Sequence, residues 1–477
     1  MKTVLLYSLF ALTIVSQSYG QLVSKALQKD QAQAGLEIAP TLGCGSHHLM
    51  EHIDKHSPGY LQESNKILEQ VAKIAAHKTV SHKKADIITI PVVFHVLYNS
   101  EEENLPDSVL FNQLEILQQA FRHSHKDTGS VRNEFKSRVG DSEIEFVMAE
   151  KDPEGNATNG IVRQSTDITH FGGVLPYNQN ELPEIQKWFE DSFYNNVLRI
   201  TQAENGGSKE WDPYTYLNVW IGDLRILEPE LNNFEELLFV ALATPPRWHE
   251  FWPNELMPTA LLENAKGVFI HYVTVGGNNP NKYPAPYGSL NPTVRQGKVL
   301  VHEVGHYLGL RHIWGDAADC DEDDFIDDTP SSLSQSGFQC LLTKNTCIDS
   351  SQGPDLPDMI ENYMDYSSGT CAVAFTKGQI AVMREVYDKY RKEPSSLSEV
   401  NSLNLLQVYP NPAQNQLHLT PGQHAVTEVV LKDLNGRIIY QNNISETVQI
   451  ELNEPSGVYL LEASTNQHTQ VQKVIIH

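Results

Sequence analysis

Basic residues are scarce in this chain of 477 residues: 35 lysines and arginines stand against 60 aspartates and glutamates, and the formal net charge is −25. An acidic surface repels phosphate, so the composition argues against nucleic acids and anionic membranes as partners. Long apolar runs are also scarce, because beyond the N-terminus no segment approaches the roughly 18 consecutive apolar residues of a transmembrane helix. With 40% hydrophobic and 20% charged residues the chain is typical of soluble globular proteins, and its length predicts two or more domains.

The N-terminal sequence MKTVLLYSLFALTIVSQSYGQ combines a lysine, an apolar run and small residues in that order. The order is typical of a secretory signal peptide over residues 1–20, with a buried N-terminal helix as the alternative. Cysteine is rare, with five in the chain, and export permits these to form disulfides. Cys44 stands alone, and the other four cysteines leave their connectivity open; these are Cys320, Cys340, Cys347 and Cys371.

Residues 21–84 show no strong strand pattern and end in the basic cluster SHKK, which is typical of a pro-segment with an exposed cleavage site. A domain over 85–392 is predicted to begin with a buried strand, because ADIITIPVVFHVLY is rich in β-branched apolar residues. Apolar spacing then predicts a helix followed by strands; these are Leu110, Leu114, Leu117 and Phe121 for the helix, and 143–150, 216–224, 237–244 and 267–275 for the strands. The alternation indicates an α/β (α+β) fold with helices backing a mixed sheet.

The C-terminal part of the chain differs in character. Residues 393–403 are polar and aperiodic, and we expect a linker there. From 404 to 477 short alternating segments are punctuated by proline, asparagine and glycine. This pattern predicts a separate, small β-sandwich.

The stretch VHEVGHYLGLRH has histidines at spacings that suit one metal ion. His302 and His306 are four residues apart and so share one face of a helix. Glu303 lies about 100° around the helix from His302, where its carboxylate can reach a water at an open coordination position. Gly309 can end the helix in the left-handed conformation, which lets the chain turn and present His312 as a third ligand.

Three neutral histidines with one open position fit zinc, which accepts nitrogen ligands in a tetrahedron and lowers the pKa of water to about 7. The alternative is a histidine-rich helix that binds no metal. Because a chance match to all five fixed positions of the extended motif is rare, we favour the zinc interpretation.

The motif resembles that of the metzincin zinc endopeptidases and, among them, of the pappalysin (cytophagalysin) family, and the similarity covers most of residues 85–390. The resemblance implies a methionine turn below the metal, which ENYMDYSSGTC supplies as Met364. It also implies that Glu303 is the catalytic base and that Tyr366 stabilises the oxyanion of the transition state. ALATPP (241–246) is then expected beside an edge strand that pairs with an extended peptide substrate.

The same resemblance implies two disulfides rather than a free or metal-binding cysteine cluster; these are Cys320–Cys347 and Cys340–Cys371. It further implies that Cys44, in the pro-segment sequence LGCGSHH, occupies the water position of zinc and keeps the enzyme latent. Family members often carry arginine two residues before this cysteine, whereas this chain has Leu42, so an unpaired thiol is the alternative. We expect His47 and His48 to be solvated.

Eight acidic residues crowd the segment GDAADCDEDDFIDDTP. The segment starts like an EF-hand loop, but Asp324 stands where glycine is needed and Pro330 where the bidentate glutamate belongs. Crowded carboxylates repel one another unless a hard cation neutralises them, and the resemblance implies calcium here, with a solvated acidic loop as the alternative. The candidate ligands are Asp316, Asp319, Asp321, Asp327, Asp328 and Thr329.

Three C-terminal motifs, YPNPAQNQLHL, LKDLNGRIIY and GVYLLEAST, resemble the C-terminal sorting domain of the type IX secretion system. The resemblance implies a Bacteroidota-type bacterium, transit across its outer membrane by that secretion machinery, and a secreted or cell-surface destination. A carbohydrate-binding or adhesive sandwich is the alternative.

The sequence therefore predicts a secreted zinc-dependent endopeptidase that hydrolyses peptide bonds of proteins and is made as a latent precursor. The alternative from another class is a surface adhesin with a metalloprotease fold, which the intact Glu303 disfavours. A zinc peptidase that trims chain termini has no identifiable site for a free amine or carboxylate. Family members that cut beside basic residues tend to carry an acidic residue where this chain has Gly369, so we expect no strict arginine or lysine preference.

Overall fold

The computed structural model describes residues 41–78, 86–174, 194–226, 238–246, 252–253, 256–257, 266–283, 287–316, 319–349, 355–390, 406–409, 411, 413–421, 428–433, 437–464 and 469–476. The predicted signal peptide, the predicted cleavage region near residue 84 and the predicted linker lie outside the described residues. The chain divides into two compact units, residues 1–391 and 392–477. Among the described residues, no helix is both long and apolar enough to cross a membrane.

The first unit contains an α/β arrangement. Its strands are β1 (Thr41–Cys44), β2 (Ile88–Tyr98), β3 (Ile144–Met148), β4 (Ile161–Ser165), β5 (Leu217–Gly222), β6 (Leu238–Ala243) and β7 (Gly267–His271). Its helices are α1 (Ser46–His56), α2 (Tyr60–Lys78), α3 (Asp107–Phe121), α4 (Tyr194–Leu198), α5 (Asn291–Val294), α6 (Lys298–Tyr307) and α7 (Lys377–Tyr390). Short 3₁₀ helices occur at Thr128–Ser130, Arg199–Thr201, Ala203–Asn205, Tyr272–Thr274 and Tyr287–Leu290.

The strands form one sheet in the order β1-β6-β7-β5-β2-β3, with β4 also paired to β2. The pairing of β6 with β7 is antiparallel, and the other neighbouring strands are parallel. Most of β2 is buried, as its β-branched apolar run predicts, because helices cover parallel strands on both faces. The predicted mixed sheet is confirmed.

The helices position the metal-binding motif against the sheet. The apolar face of α3, with Leu110, Leu117 and Phe121 fully or almost fully buried, packs on β3 and on α6. Helix α6, which carries the motif, packs on β6 and β7, the antiparallel pair of the sheet. The core therefore fixes the distance between the motif and β6.

The predicted pro-segment is more ordered than its sequence pattern indicates. Residues Thr41–Cys44 add β1 to the sheet next to β6, and α1 and α2 follow directly. Leu49 and Ile53 of α1 are completely buried in the same core as the central strands, and α2 packs against α7. A strand of four residues is too short to show an alternating pattern, so its sequence gave no signal.

The second unit contains only strands in its described residues. They are β8 (Leu406–Tyr409), β9 (Gln416–Pro421), β10 (Glu428–Asp433), β11 (Ile438–Asn442), β12 (Val448–Glu451), β13 (Gly457–Ser464) and β14 (Thr469–Ile476). They form two antiparallel sheets, β11-β10-β13-β14 and β12-β9-β8, which share one apolar core. The predicted small β domain is confirmed.

Candidate metal centre

The end of helix α6 brings the third histidine of the motif back toward the first two. Gly309 has a φ of +89°, the left-handed conformation, and its backbone N–H donates to the carbonyl of His306 over 2.9 Å. A Cβ atom at this position would lie 2.7 Å from a methyl group of Val386, so both backbone and space require glycine. The chain then turns and places His312 beside the helix.

Three imidazole nitrogens converge at this point. The Nε2 atoms of His302 and His306 lie 3.1 Å apart, and the Nε2 atom of His312 lies 3.2 Å from the first and 3.0 Å from the second. A tetrahedral zinc ion with ligands at about 2.0–2.1 Å spaces its nitrogens by roughly 3.3 Å. The three histidines therefore fit a single zinc ion.

Hydrogen bonds at the Nδ1 atoms determine the tautomer of the histidines. The Nδ1–H of His302 donates to the carbonyl of Tyr363 over 2.6 Å, and that of His306 donates to the carbonyl of Leu310 over 2.8 Å. A carbonyl oxygen can only accept, so both Nδ1 atoms carry the proton and both Nε2 atoms present lone pairs. His312 Nδ1 makes its hydrogen bond to the carboxylate of Asp316.

Burial keeps the three rings neutral. It lowers the pKa of His302 to about 3, and it also lowers the pKa values of His306 and His312. Three facing lone pairs with no proton between them repel one another unless a cation lies among them. The donor set, the spacing and the protonation state therefore all suit a metal ion that prefers nitrogen ligands.

Cys44 joins the same cluster. Its sulfur and the three Nε2 atoms all lie within 4.8 Å of one another, and all four residues are buried. Burial is the main cause that raises the pKa of the Cys44 thiol, with the nearby Glu303 adding to the effect. A bound metal ion would oppose this rise in pKa, because it stabilises the thiolate.

Glu303 is completely enclosed beside the cluster. Its Oε2 atom accepts hydrogen bonds from Cys44 Sγ over 3.4 Å and from the hydroxyl of Ser46 over 3.1 Å. Burial raises the pKa of Glu303 to about 8. The same Ser46 oxygen accepts from the backbone N–H of Ala243 over 2.9 Å, so this residue bridges the carboxylate and strand β6.

The resemblance predicts a methionine turn at Met364 and an oxyanion donor at Tyr366, and both residues lie near the histidines. Met364 is fully buried under α6, and its sulfur would be 2.4 Å from a Cβ atom at Gly305. The hydroxyl of Tyr366 accepts from the backbone N–H of Cys44 over 3.0 Å and donates to the carbonyl of Cys44 over 3.1 Å. A tyrosine hydroxyl already bonded to a peptide carbonyl in the cleft is well placed to bond a reacting one.

The predicted pro-segment occupies the cleft through its backbone. β1 pairs in parallel with β6, with Cys44 opposite Ala241, and the N–H of Gly45 donates to the carbonyl of Ala241 over 2.8 Å. A cavity opens next to the cluster and is bordered largely by apolar side chains; among its lining residues are Val240, Val294, Val299, Phe338 and Gly369. Gly369 therefore borders the space next to the histidines.

The predicted disulfide cysteines and the predicted calcium ligands do not form one common site. The structure forms the two disulfides that the resemblance implies, Cys320–Cys347 and Cys340–Cys371. Of the candidate calcium ligands, Asp319, Asp321 and Asp327 are exposed, whereas Thr329 is buried and bonds to Asp324. Asp328 accepts from the backbone N–H of Gly378, and Asp316 lies apart from the others at His312.

Several residues of the centre had no distinct signal in the sequence. Ser46 lies two residues after Cys44 but contacts Glu303 and Ala243, which are about 200 or more residues away. His47 was expected to be solvated, yet its side chain is only 17% exposed and contacts both Glu51 and Asp316. The helix α1 places these side chains, and no pattern in the linear sequence reveals their partners.

Two family models match separate parts of the chain. Residues 280–388 match the family model described as pregnancy-associated plasma protein-A, which confirms the pappalysin resemblance for that part of the chain. Residues 407–477 match the model described as a secretion system C-terminal sorting domain, and the predicted destination outside the cell is confirmed.

Individual relatives agree with these matches. An extracellular metalloprotease of Arthroderma otae is 36% identical over 105 residues, which are 22% of this chain and 36% of the relative. An extracellular metalloprotease of Aspergillus fumigatus is 41% identical over 101 residues, which are 20% of this chain and 29% of the relative. This chain thus spans about a third of the length of these curated relatives.

A solved structure is similar to a larger share of the chain. A promirolysin variant of Tannerella forsythia is 28% identical, with a TM-score of 0.54, and the alignment covers 75% of this chain and 98% of that one. The similarity therefore reaches well beyond the residues matched by the family model.

Proposed function

We propose that this chain is a secreted zinc-dependent endopeptidase that is synthesised as a latent precursor. The observation that carries the proposal is the convergence of Cys44 and the Nε2 atoms of His302, His306 and His312 on one point next to Glu303. Three histidines alone suit a catalytic zinc, and a cysteine from an upstream segment fills the fourth position. The extracellular metalloproteases among the relatives and the promirolysin similarity support the same conclusion.

In the active protein, the chain's own residues carry the proton transfers. A zinc ion held by His302, His306 and His312 would supply Lewis-acid chemistry to a scissile carbonyl and would lower the pKa of water to about 7. Glu303 accepts the proton of the attacking water and passes it to the nitrogen of the leaving amine. The hydroxyl of Tyr366, which in the latent form bonds the carbonyl of Cys44, donates to the oxyanion.

Latency follows from the same contacts. While β1 is in place, Cys44 holds the open metal position, Ser46 holds the carboxylate of Glu303, and the backbone of Cys44 holds Tyr366. We propose that cleavage near residue 84 releases residues 21–84, after which the domain over 85–392 is active. We propose that residues 404–477 act as the sorting domain that the type IX secretion machinery recognises.

We also propose a structural calcium ion at the acidic segment. Asp324, absent from the predicted ligands, supports this because it is 3% exposed and its Oδ2 atom has no hydrogen-bond partner within the described part of the chain. Burial raises the pKa of this carboxyl, and a hard cation would offset the cost of ionising it. The expected result is a calcium-dependent rise in the melting temperature that Asp324→Asn abolishes; an equal rise in the variant would refute the site.

The substrate preference follows from the cavity beside the cluster. Charged side chains border it at Lys298, Glu303 and Asp365, but most of its lining surface is apolar and Gly369 has no side chain, which favours an apolar residue on the substrate over a basic one. A peptide-library digest with the processed protein tests this preference. We expect apolar residues next to the cleaved bond, and a profile dominated by arginine and lysine would contradict the proposal.

Casein hydrolysis by the processed protein separates an endopeptidase from a surface adhesin. We expect activity that a zinc chelator removes, that added zinc restores, and that falls by roughly 10²–10⁴-fold in Glu303→Ala. The matched control is Glu101→Ala, because Glu101 is an exposed glutamate of the same unit. Undiminished cleavage in Glu303→Ala would contradict the mechanism. No cleavage by the unaltered protein would favour the alternative, a surface adhesin.

A further inference from the structure

The third histidine of the cluster is held differently from the first two. His302 and His306 project from helix α6, and backbone carbonyls of Tyr363 and Leu310 accept from their Nδ1 atoms. His312 lies beyond the helix, in a segment without regular secondary structure, and the acceptor for its Nδ1–H is the side chain of Asp316. The orientation of this ring therefore depends on a side-chain acceptor rather than on a backbone carbonyl.

The local backbone directs Asp316 toward His312. Gly315 and Asp316 both have left-handed conformations, with φ values of +65° and +60°. Aspartate tolerates this conformation better than most residues, but it still costs free energy and persists where the surroundings require it. The guanidinium of Arg311 donates to the carbonyl of Gly315 over 2.6 Å and so holds the turn in place.

The ring of His312 is also fixed on its face. Trp314 stacks on it with the ring centroids 4.2 Å apart and the planes 8° from parallel. Stacking permits the ring to slide or rotate in its own plane, whereas the hydrogen bond to Asp316 prevents that motion. Together the two contacts leave one orientation, with Nε2 directed at the other two histidines.

Asp316 differs from the acidic residues that follow it. Its side chain is 9% exposed, whereas Asp319 and Asp321 are exposed. One of its carboxylate oxygens contacts His312, and the other lies 3.4 Å from Nδ1 of His47 in the pro-segment. Both oxygens face imidazole nitrogens, so this carboxylate is not arranged as a ligand of a calcium ion.

We propose that Asp316 is a positioning residue for the third zinc ligand: its carboxylate holds His312 in the Nδ1-protonated form and in the orientation that completes the metal site. The proposal rests on the zinc-dependent function proposed above. Carboxylates that accept from metal-bound histidines raise the basicity of the ring, and their loss typically weakens metal binding about 10–100-fold. His312 and Asp316 both lie outside the predicted pro-segment, and only the second oxygen of the Asp316 carboxylate contacts that segment, at His47.

Zinc affinity of the full chain tests the proposal without reference to catalysis. Competition with a chromophoric chelator should show that Asp316→Ala binds zinc about 10–100-fold more weakly than the unaltered chain. Asp316→Asn should lose less, because its amide oxygen still accepts from Nδ1–H. The matched control is Asp321→Asn, an exposed carboxylate of the same segment, which should bind zinc as the unaltered chain does.

Cobalt substitution gives a second readout that a purely structural role would not change. The visible absorption of the cobalt protein should shift in both Asp316 variants, because the geometry or basicity of one ligand has changed. Asp316→Asn keeps a side chain of the same shape, so it provides a folded variant if Asp316→Ala does not fold.

Two results would overturn the proposal. One is a zinc affinity of Asp316→Ala within twofold of the unaltered chain together with an unchanged cobalt spectrum. The other is loss of calcium-dependent thermal stabilisation with zinc affinity intact, which would make Asp316 a calcium ligand. The two proposals can fail independently. If the variants differ in zinc affinity as expected but the unaltered chain does not cleave casein, the positioning role of Asp316 stands and the endopeptidase function fails.

Discussion

The hydroxyl of Ser46 donates to Glu303 over 3.1 Å while its oxygen accepts from the N–H of Ala243 over 2.9 Å. This residue of the predicted pro-segment thereby connects the proposed base Glu303 to strand β6. The proposed latency would consequently depend on more than the thiol of Cys44, because a separate side chain also contacts Glu303.

Removing the Ser46 hydroxyl should weaken latency. A buried hydrogen bond contributes about 1 kcal/mol, so Ser46→Ala should raise the background activity of the unprocessed chain roughly fivefold. Cys44→Ala should raise it further, because it removes the group at the metal position. Cleavage of a fluorogenic peptide before processing measures both effects. Ser57→Ala, on the same segment, is the control, and identical background activity in Ser46→Ala and the control would contradict the role of Ser46.

Replacing Tyr366 with phenylalanine should reduce turnover rather than substrate binding. Loss of one oxyanion donor costs roughly 10²–10³-fold in kcat, and KM should change little because the aromatic ring remains. Steady-state kinetics of the processed protein give both constants. Tyr214→Phe is a suitable control, since Tyr214 is exposed in the same unit. An unchanged kcat would remove Tyr366 from the mechanism.

The contact of Gly305 with Met364 should be sensitive to one added methyl group. A Cβ atom at Gly305 would meet the Met364 sulfur at 2.4 Å, so Gly305→Ala should lower the free energy of unfolding by about 1–3 kcal/mol. In a Met364→Ala background the same change should cost much less, because the space is then open. Urea unfolding of the four proteins gives the coupling free energy. If the two substitutions change the free energy of unfolding additively, Gly305 and Met364 do not interact energetically.

His95 should make the stability of the first unit dependent on pH. Its ring is fully buried between Ser208 and Asn218, and burial lowers its pKa to about 4 from 6.5. The unfolded chain therefore binds a proton first as the pH falls, so the stabilisation is complete above 6.5 and is lost as the pH falls through 4. The shift corresponds to about 3 kcal/mol.

Urea unfolding between pH 7 and pH 4 measures this dependence. The unaltered chain should lose stability more steeply than His95→Gln, although the variant should be less stable at pH 7 because ring packing against Trp220 is lost. The difference between the two curves isolates His95 from the other histidines. Parallel curves would show that His95 does not titrate as its burial implies.

The sequence predicted the parts of the centre that one short segment supplies. Helical spacing places His302 and His306 together whatever surrounds them, and Gly309 marks where the helix ends. The strands over 88–98 and 217–222 were likewise predicted, because buried parallel strands are continuously apolar.

Contacts between distant segments could not be predicted in this way. Asp316 sits in an acid-rich run that indicated calcium, and only the left-handed turn at Gly315 and Asp316 shows that it faces His312. The strand β4 was missed because its side chains are largely exposed and polar, so it lacks an apolar run. No sequence pattern around His47 predicted its contact with Asp316.

The pairing of β1 with β6 also bears on solubility. β6 reads LFVALA, without a charge or a proline, and among the described strands only β1 pairs with the edge of β6 that faces away from β7. An open, apolar edge strand invites pairing with the same strand of another molecule. A chain that lost residues 41–44 before export would therefore tend to aggregate at β6, and the upstream strand protects the protein from its own copies until it leaves the cell.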